Sequence, residues 1–274
     1  IPVFTLPNPG GSYSVGTETF HWVDSSRMEW FTDENPNDVR EIIVQVWYPA
    51  VNNAEINPEP YLDFIDLRAK TLASAGAIPE FFPGHLNHIY TNSYKEIPII
   101  KSDQLMPVVI FSHGITGSRH LHQAMYEFLV SRGFIVVALD HSFDANLTVF
   151  PDGHLADYRS DSNYEQMNNR RPSPEEFWAL RLPQLKTRSA DVGFVLDQIE
   201  NERLPQSIID IIDFESIGVF GHSFGGATSI YSSYSDSRIN ACINLDGWMV
   251  PVPDNIINNG IPSSGRILLA EGGC

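Results

Sequence analysis

Two kinds of apolar pattern organise the chain. Residues 39–48, VREIIVQVWY, alternate and are rich in β-branched side chains, which predicts a strand closed by Pro49 within an early β-meander. MPVVIFSHG at 106–114, FIVVALDH at 134–141 and Ile217–Phe220 are instead continuous apolar runs that end in turns, as strands buried on both faces do. Helices are predicted between them, at about 119–132 up to Gly133 and at 184–202, where Val192, Val195, Leu196 and Ile199 recur at helical spacing. RILLAEGG, from 266, reads as the next strand. Strand and helix therefore alternate through the second half, which predicts an α/β fold with a mostly parallel sheet and helices on both faces.

Two segments break the alternation. Residues 61–95 mix short helical stretches with Phe81-Phe82-Pro83-Gly84 and read as cap material laid over a sheet. Residues 151–180 begin with a polar stretch that includes Asp161, Asn163, Asn168, Asn169, Arg170 and Arg171, followed by Pro172 and Pro174, and read as a second insertion at a surface mouth. With no internal repeat or low-complexity tract, the 274 residues are expected to form one domain carrying these insertions.

Composition narrows the class. Thirty-four acidic residues against 17 basic ones give a formal charge of −17, whose field repels phosphate backbones, so nucleic acid is not an expected partner. No apolar run is long enough to span a bilayer. Cys242 and Cys274 alone supply neither a disulfide framework nor a zinc site. The start at Ile1 fits a processed export precursor or a trimmed polypeptide, and Asn146-Leu147-Thr148 forms a lone glycosylation triplet.

Candidate chemistry centres on GHSFGG at 221–226. Strand IGVF precedes it and ATSIYSSY continues it as a helix, the context of a nucleophile elbow with Ser223 at its apex. The turn must project the hydroxyl from strained backbone, so small residues are needed at 221 and 225, and both are glycine. A developing oxyanion needs two backbone N–H donors, for which Phe224 and Ile115 fit, the latter after the His113-Gly114 turn that ends VVIFS. His113 itself reads as a hydrogen-bonded turn residue. Asp246, at the end of INACINLD, is the strand-end acid after the elbow; Asp140 competes but precedes the nucleophile.

The blocks PVVIFSHGITGSR at 107–119, GFIVVALDH at 133–141 and GVFGHSFGGAT through LDGWMVP at 218–251 resemble the platelet-activating factor acetylhydrolase family, the lipoprotein-associated type and its bacterial relatives. VQVWYPA at 44–50 and RSADVGFVLDQI at 188–199 extend the likeness. The resemblance implies the α/β-hydrolase fold and a serine ester hydrolase with no cofactor and no metal. It places the acid in LDGWM, at Asp246, and the oxyanion donors at Ile115 and Phe224. It also implies a substrate ester with a short or oxidised acyl chain. The leading expectation is a secreted or cell-envelope-associated enzyme.

The pattern breaks at the base. The family's histidine follows the acid, whereas the last histidine here is His222, which is expected to mean that the chain is cut short of its final loop and helix. His141 and His154 are weighed as substitutes, and the pairs His85/His88 and His120/His122 as metal ligands, but surface or core packing is the better reading of each. The same holds for Phe81, Phe82, Trp178 and Trp248, which are read as core rather than acyl pocket. A broad small-ester or dienelactone-hydrolase-like esterase, and a catalytically inactive hydrolase-fold binding module, are the competing functions.

Overall fold

A computed structural model of the chain describes residues 5–32, 35–51, 56–159 and 173–259, together with the backbone of 266–270. The strands are β1 (Ser14–Met28), β2 (Val39–Ala50), β3 (Ser93–Lys95), β4 (Met106–Ser112), β5 (Ile135–Asp140), β6 (Leu147–Val149), β7 (Leu155–Asp157), β8 (Ile212–His222), β9 (Ala241–Leu245) and β10 (Arg266–Ala270). The helices are α1 (Ile65–Gly76), α2 (Phe81–Gly84), α3 (Gln123–Val130), α4 (Pro174–Glu200), α5 (Gln206–Ile209), α6 (Phe224–Ser235) and α7 (Asp254–Asn259).

Eight strands form one sheet in the order β10-β9-β8-β4-β5-β2-β1-β3, with β6 and β7 as a separate hairpin. From β10 to β5 the pairings are all parallel, whereas β2 runs antiparallel to both β5 and β1. This is the sheet of the α/β-hydrolase fold. All six residues of β5 are buried, because successive side chains enter opposite apolar layers. Val108, Ile110, Ile135 and Val137 pack with Leu185, Val192 and Val195 of α4 and Phe224 of α6. Phe111, Val136 and Phe220 pack on the other face with Tyr126 and Val130 of α3. Each such fully buried aliphatic or aromatic side chain contributes about 1.5–3 kcal/mol.

Several boundaries differ from those expected. β2 runs through Pro49 to Ala50, because β5 pairs with β2 only as far as Trp47↔Val136. Pro49 still aligns with Val15 of β1, and its carbonyl accepts from Ile100 on the side away from β1, so its missing N–H falls where no ladder bond is required. Within the 61–95 segment, Ser93–Lys95 is an edge strand of the main sheet, parallel to β1. The long helix starts at Pro174, inside the 151–180 segment, because Ser173 accepts from the Glu176 N–H while the Glu176 side chain accepts from Ser173, a reciprocal cap. The polar stretch at 160–172 lies outside the described residues. Helix α3 is shorter than expected, beginning at Gln123.

No helix among the described residues is long and apolar enough to cross a membrane. Asn146 of the glycosylation triplet is 6% exposed and its side chain bonds Thr71, so it is not a free acceptor in the folded chain.

Candidate active site

β8 ends at His222 and α6 begins at Phe224, so one residue makes the whole reversal from strand to helix. That residue is Ser223, with φ 55° and ψ −121°, a conformation side-chain-bearing residues rarely adopt. The strain is held by crowding and by hydrogen bonds. A Cβ on Gly221 would lie 2.2 Å from the Gly225 carbonyl oxygen, and one on Gly225 would lie 1.9 Å from that of Ser112, so neither position accepts a larger residue. The Ser223 N–H donates to Leu245 O at 3.2 Å, and the Ser223 carbonyl accepts from Gly226 N–H and Trp248 N–H, both at 2.9 Å. Ser223 is half-buried and stands at the N-terminus of α6, where the helix dipole favours developing negative charge.

The turn after β4 closes against this elbow. A Cβ on Gly114 would lie 3.2 Å from Ser223 Cβ and 3.4 Å from the His222 carbonyl oxygen, so the turn leaves little room for a side chain against the elbow. Gly117 N–H donates to Gly114 O at 3.0 Å, and Thr116 N–H donates to Asp144 O at 3.2 Å. Among the described residues the N–H groups of Ile115 and Phe224 have no protein acceptor. His113 is fully buried; its Nδ1 bonds the Gly114 carbonyl at 2.6 Å and its Nε2 accepts from His141 N–H at 3.1 Å. Burial and the neighbouring Arg188 cation push its pKa down to about 3, so it is a neutral turn residue, as the sequence suggests.

Asp246 follows β9 with φ 47°, exposed and without a hydrogen-bond partner among the described residues. The turn around it is held by close packing, since a Cβ on Gly247 would lie 1.9 Å from Asn244 Oδ1. Asp140 is occupied elsewhere. It is fully buried and accepts from the Arg119 N–H at 2.7 Å and from the Arg119 guanidinium; burial favours its acid form, but Arg119 and Arg68 outweigh this and hold its pKa low.

The histidines weighed as substitutes are also committed. His141 is fully buried, with Nδ1 2.8 Å from Asp191 Oδ2 and Nε2 2.8 Å from Ser112 Oγ. Ser112, His141 and Asp191 thus repeat the order of a catalytic triad, but Ser112 is 1% exposed and meets no solvent that could carry a substrate. His154 is exposed and stacks on Phe150 at 4.0 Å between centroids. His120 is buried with Nε2 3.4 Å from Asp63, whereas His122 faces His222 at 5.5 Å between ring centroids. His85 and His88 face each other at 5.3 Å. Among the described residues no group of three or more His, Cys, Asp and Glu is placed to hold a metal ion. Of the aromatic residues, Trp248 packs on Phe224 and Phe177, both at 5.7 Å, while Phe81 and Phe82 stack on each other in exposed positions.

Sequence reasoning missed the buried ionic layer beneath the site. Arg40 donates to Asp191 through Nε at 3.0 Å and Nη2 at 2.6 Å, and to Glu29 at 2.7 Å, while Arg27 reaches Asp191 at 2.9 Å. The available signal was a pair of charges, Arg188 and Asp191, on the face of a helix that otherwise carries Leu185, Val192 and Val195 inward.

The family model for platelet-activating factor acetylhydrolase, isoform II, matches residues 3–261. The chain is 27% identical over 266 residues to a platelet-activating factor acetylhydrolase of Canis lupus familiaris, covering 92% of this chain and 57% of that protein. It is 25% identical over 261 residues to a probable 1-alkyl-2-acetylglycerophosphocholine esterase of Arthroderma benhamiae, covering 90% and 59%. It therefore spans little more than half the length of these curated relatives. Among solved structures, a ferulic acid esterase from Streptomyces cinnamoneus matches with a TM-score of 0.71 and 28% identity, over 97% of this chain and 67% of that one. On the extent of the family match, the chain belongs to the platelet-activating factor acetylhydrolase isoform II family.

Proposed function

We propose that the protein is a serine carboxylic ester hydrolase that cleaves short-acyl esters, with phospholipids bearing short or oxidised acyl chains as its substrate class. The observation that carries this is Ser223, strained at the strand-to-helix reversal beside the Gly114 turn; the N–H groups of Ile115 and Phe224, without a protein acceptor among the described residues, are the proposed oxyanion donors. The family match and the names of the relatives support it. A secreted or envelope-associated setting belongs to the same proposal.

In the proposed reaction Ser223 Oγ attacks the ester carbonyl carbon and its proton passes to a base. The carbonyl oxygen gains negative charge and accepts from the Ile115 and Phe224 N–H groups. Collapse breaks the bond to the leaving alcohol, which takes the proton from the base, and leaves an acyl group on Ser223; water then releases the acid by the same steps. Asp246 is the acid that orients the base. The resemblance puts that base, a histidine, after Asp246, whereas all nine histidines of this sequence precede Ser223.

Hydrolysis of p-nitrophenyl acetate and butyrate by the protein and its Ser223→Ala variant, with the intact mass of each recorded, tests the reading. Turnover that survives the substitution removes Ser223 from the role, whereas no turnover by either protein favours the catalytically inactive binding module. The likeness to a ferulic acid esterase supports a second reading, a small-ester esterase. Faster turnover of methyl ferulate than of a 2-acetyl phospholipid would establish it.

A further inference from the structure

Arg188 is 1% exposed and lies beneath both halves of the proposed oxyanion site. Its Nη2 donates to the His113 carbonyl and to Ser112 Oγ at 3.2 Å, the two residues at the entrance to the Gly114-Ile115 turn. Its guanidinium carbon stands 5.0 Å from the centroid of the Phe224 ring, the side chain of the other donor residue. Its Nη1 donates to Asp144 Oδ2 at 3.1 Å, and the Asp144 carbonyl in turn accepts from Thr116 N–H. Gln184, one helical turn before Arg188, donates to the second Asp144 oxygen at 2.5 Å. One planar cation from α4 therefore touches the segment before Ile115, the anchor after it, and the ring of Phe224.

Local structure alone does not hold these parts in register. The 113–117 turn belongs to β4 and Phe224 belongs to α6, elements more than 100 residues apart whose donors must converge on one oxygen. A guanidinium has five donors in a fixed plane and an aromatic-binding face, so it can span the two, whereas an ammonium offers a point charge without the fork. We propose that Arg188 is a positioning residue that sets the separation between the Ile115 and Phe224 N–H groups. This inference rests on the proposed reading of those two groups as the oxyanion donors. Arg188 meets neither substrate nor Ser223; it acts through the backbone it holds.

The test is steady-state hydrolysis of p-nitrophenyl acetate by the full-length protein and its Arg188→Lys and Asp144→Asn variants, beside the rate at which diethyl p-nitrophenyl phosphate labels Ser223. Displaced donors weaken the transition state more than the bound ester. Arg188→Lys is therefore expected to lower kcat about 10–100-fold and to slow labelling in parallel, with KM within about twofold. Asp144→Asn, which keeps the guanidinium but removes its counter-ion, is expected to give a smaller loss of the same kind, and it carries the test if Arg188→Lys does not fold. Wild-type kcat in a folded variant, or a loss explained wholly by the fraction of protein unfolded in a thermal melt, overturns the inference. A wild-type protein that is neither labelled at Ser223 nor active overturns the nucleophile reading itself, and this one with it.

Discussion

The Trp248 N–H donates to the Ser223 carbonyl at 2.9 Å, while the Ser223 N–H donates to Leu245 O at 3.2 Å. The strained residue is thereby clasped from both sides by the segment that contains Asp246. The two candidate catalytic side chains thus arise from backbones that hold each other in place, and strain at one is opposed by bonds from the other.

Ser223 is the first position to test for a conflict between stability and activity. Ser223→Ala keeps the positive φ and loses the proposed nucleophile, so turnover is expected to fall by a factor on the order of a million. Ser223→Gly removes the steric cost of that φ as well, and is expected to raise stability by about 1 kcal/mol, read as a higher urea midpoint, while being equally inactive.

Gly225→Ala is expected to destabilise the protein by about 3 kcal/mol, since the new Cβ would meet the Ser112 carbonyl oxygen at 1.9 Å and backbone would have to move. Urea unfolding measures the loss. A change below about 0.5 kcal/mol, the range of ordinary surface substitutions, would contradict the packing of β4 against the elbow.

The acids Asp191 and Asp246 are expected to respond in opposite ways. Asp191 is fully buried and accepts from Arg40, Arg27 and His141, so Asp191→Asn leaves buried cations without their counter-charge and should cost about 3–5 kcal/mol. Asp246 is exposed and unpaired among the described residues, so Asp246→Asn should change stability by less than about 0.5 kcal/mol. Its kcat should nevertheless fall about 10⁴-fold, as when a triad loses its orienting acid. Melting curves and ester hydrolysis on the same samples separate the two.

His120 makes stability depend on pH. Burial, reinforced by Arg119 and opposed by Asp63, lowers its pKa from 6.5 to about 3. As pH falls through 6.5 the unfolded chain takes up a proton that the folded protein refuses until about pH 3, so stability is lost across that window and retained above it. His120→Gln removes this contribution. Near pH 5 its unfolding free energy should fall about 1.4 kcal/mol less per pH unit than that of the wild type, measured by urea unfolding at pH 4.5, 5.5 and 7. Equal slopes would show that His120 is not buried in its neutral form.

Much of the site was legible because it is encoded in consecutive residues. Gly221, Ser223 and Gly225 lie within one turn, and their spacing and flanking apolar run specify strand, reversal and helix without reference to the rest of the chain. β4, β5 and the later part of β8 were legible for the same reason: a strand covered on both faces writes an unbroken apolar run. The start of α4 was missed because Pro172 and Pro174 look like loop residues, although proline at the first helical position is compatible with helix, and the cap from Ser173 and Glu176 decides the boundary. β3 was missed because three residues at a sheet edge carry no period of their own.

What the sequence determined by itself was the class of fold, the strand-to-helix reversal at Ser223 and the chemistry expected there, since each depends on local periodicity or on a short run of residues. Tertiary structure alone decided which charges meet. Arg40 and Asp191 are separated by 151 positions, and Arg188 and Ser112 by 76, yet both pairs lie within hydrogen-bond reach. It also decided that His141 serves a buried network and Asp140 an arginine cluster. Hydrophobic burial follows residue type and can be read along the chain, but a polar side chain's role depends on the partner it meets once the sheet has formed.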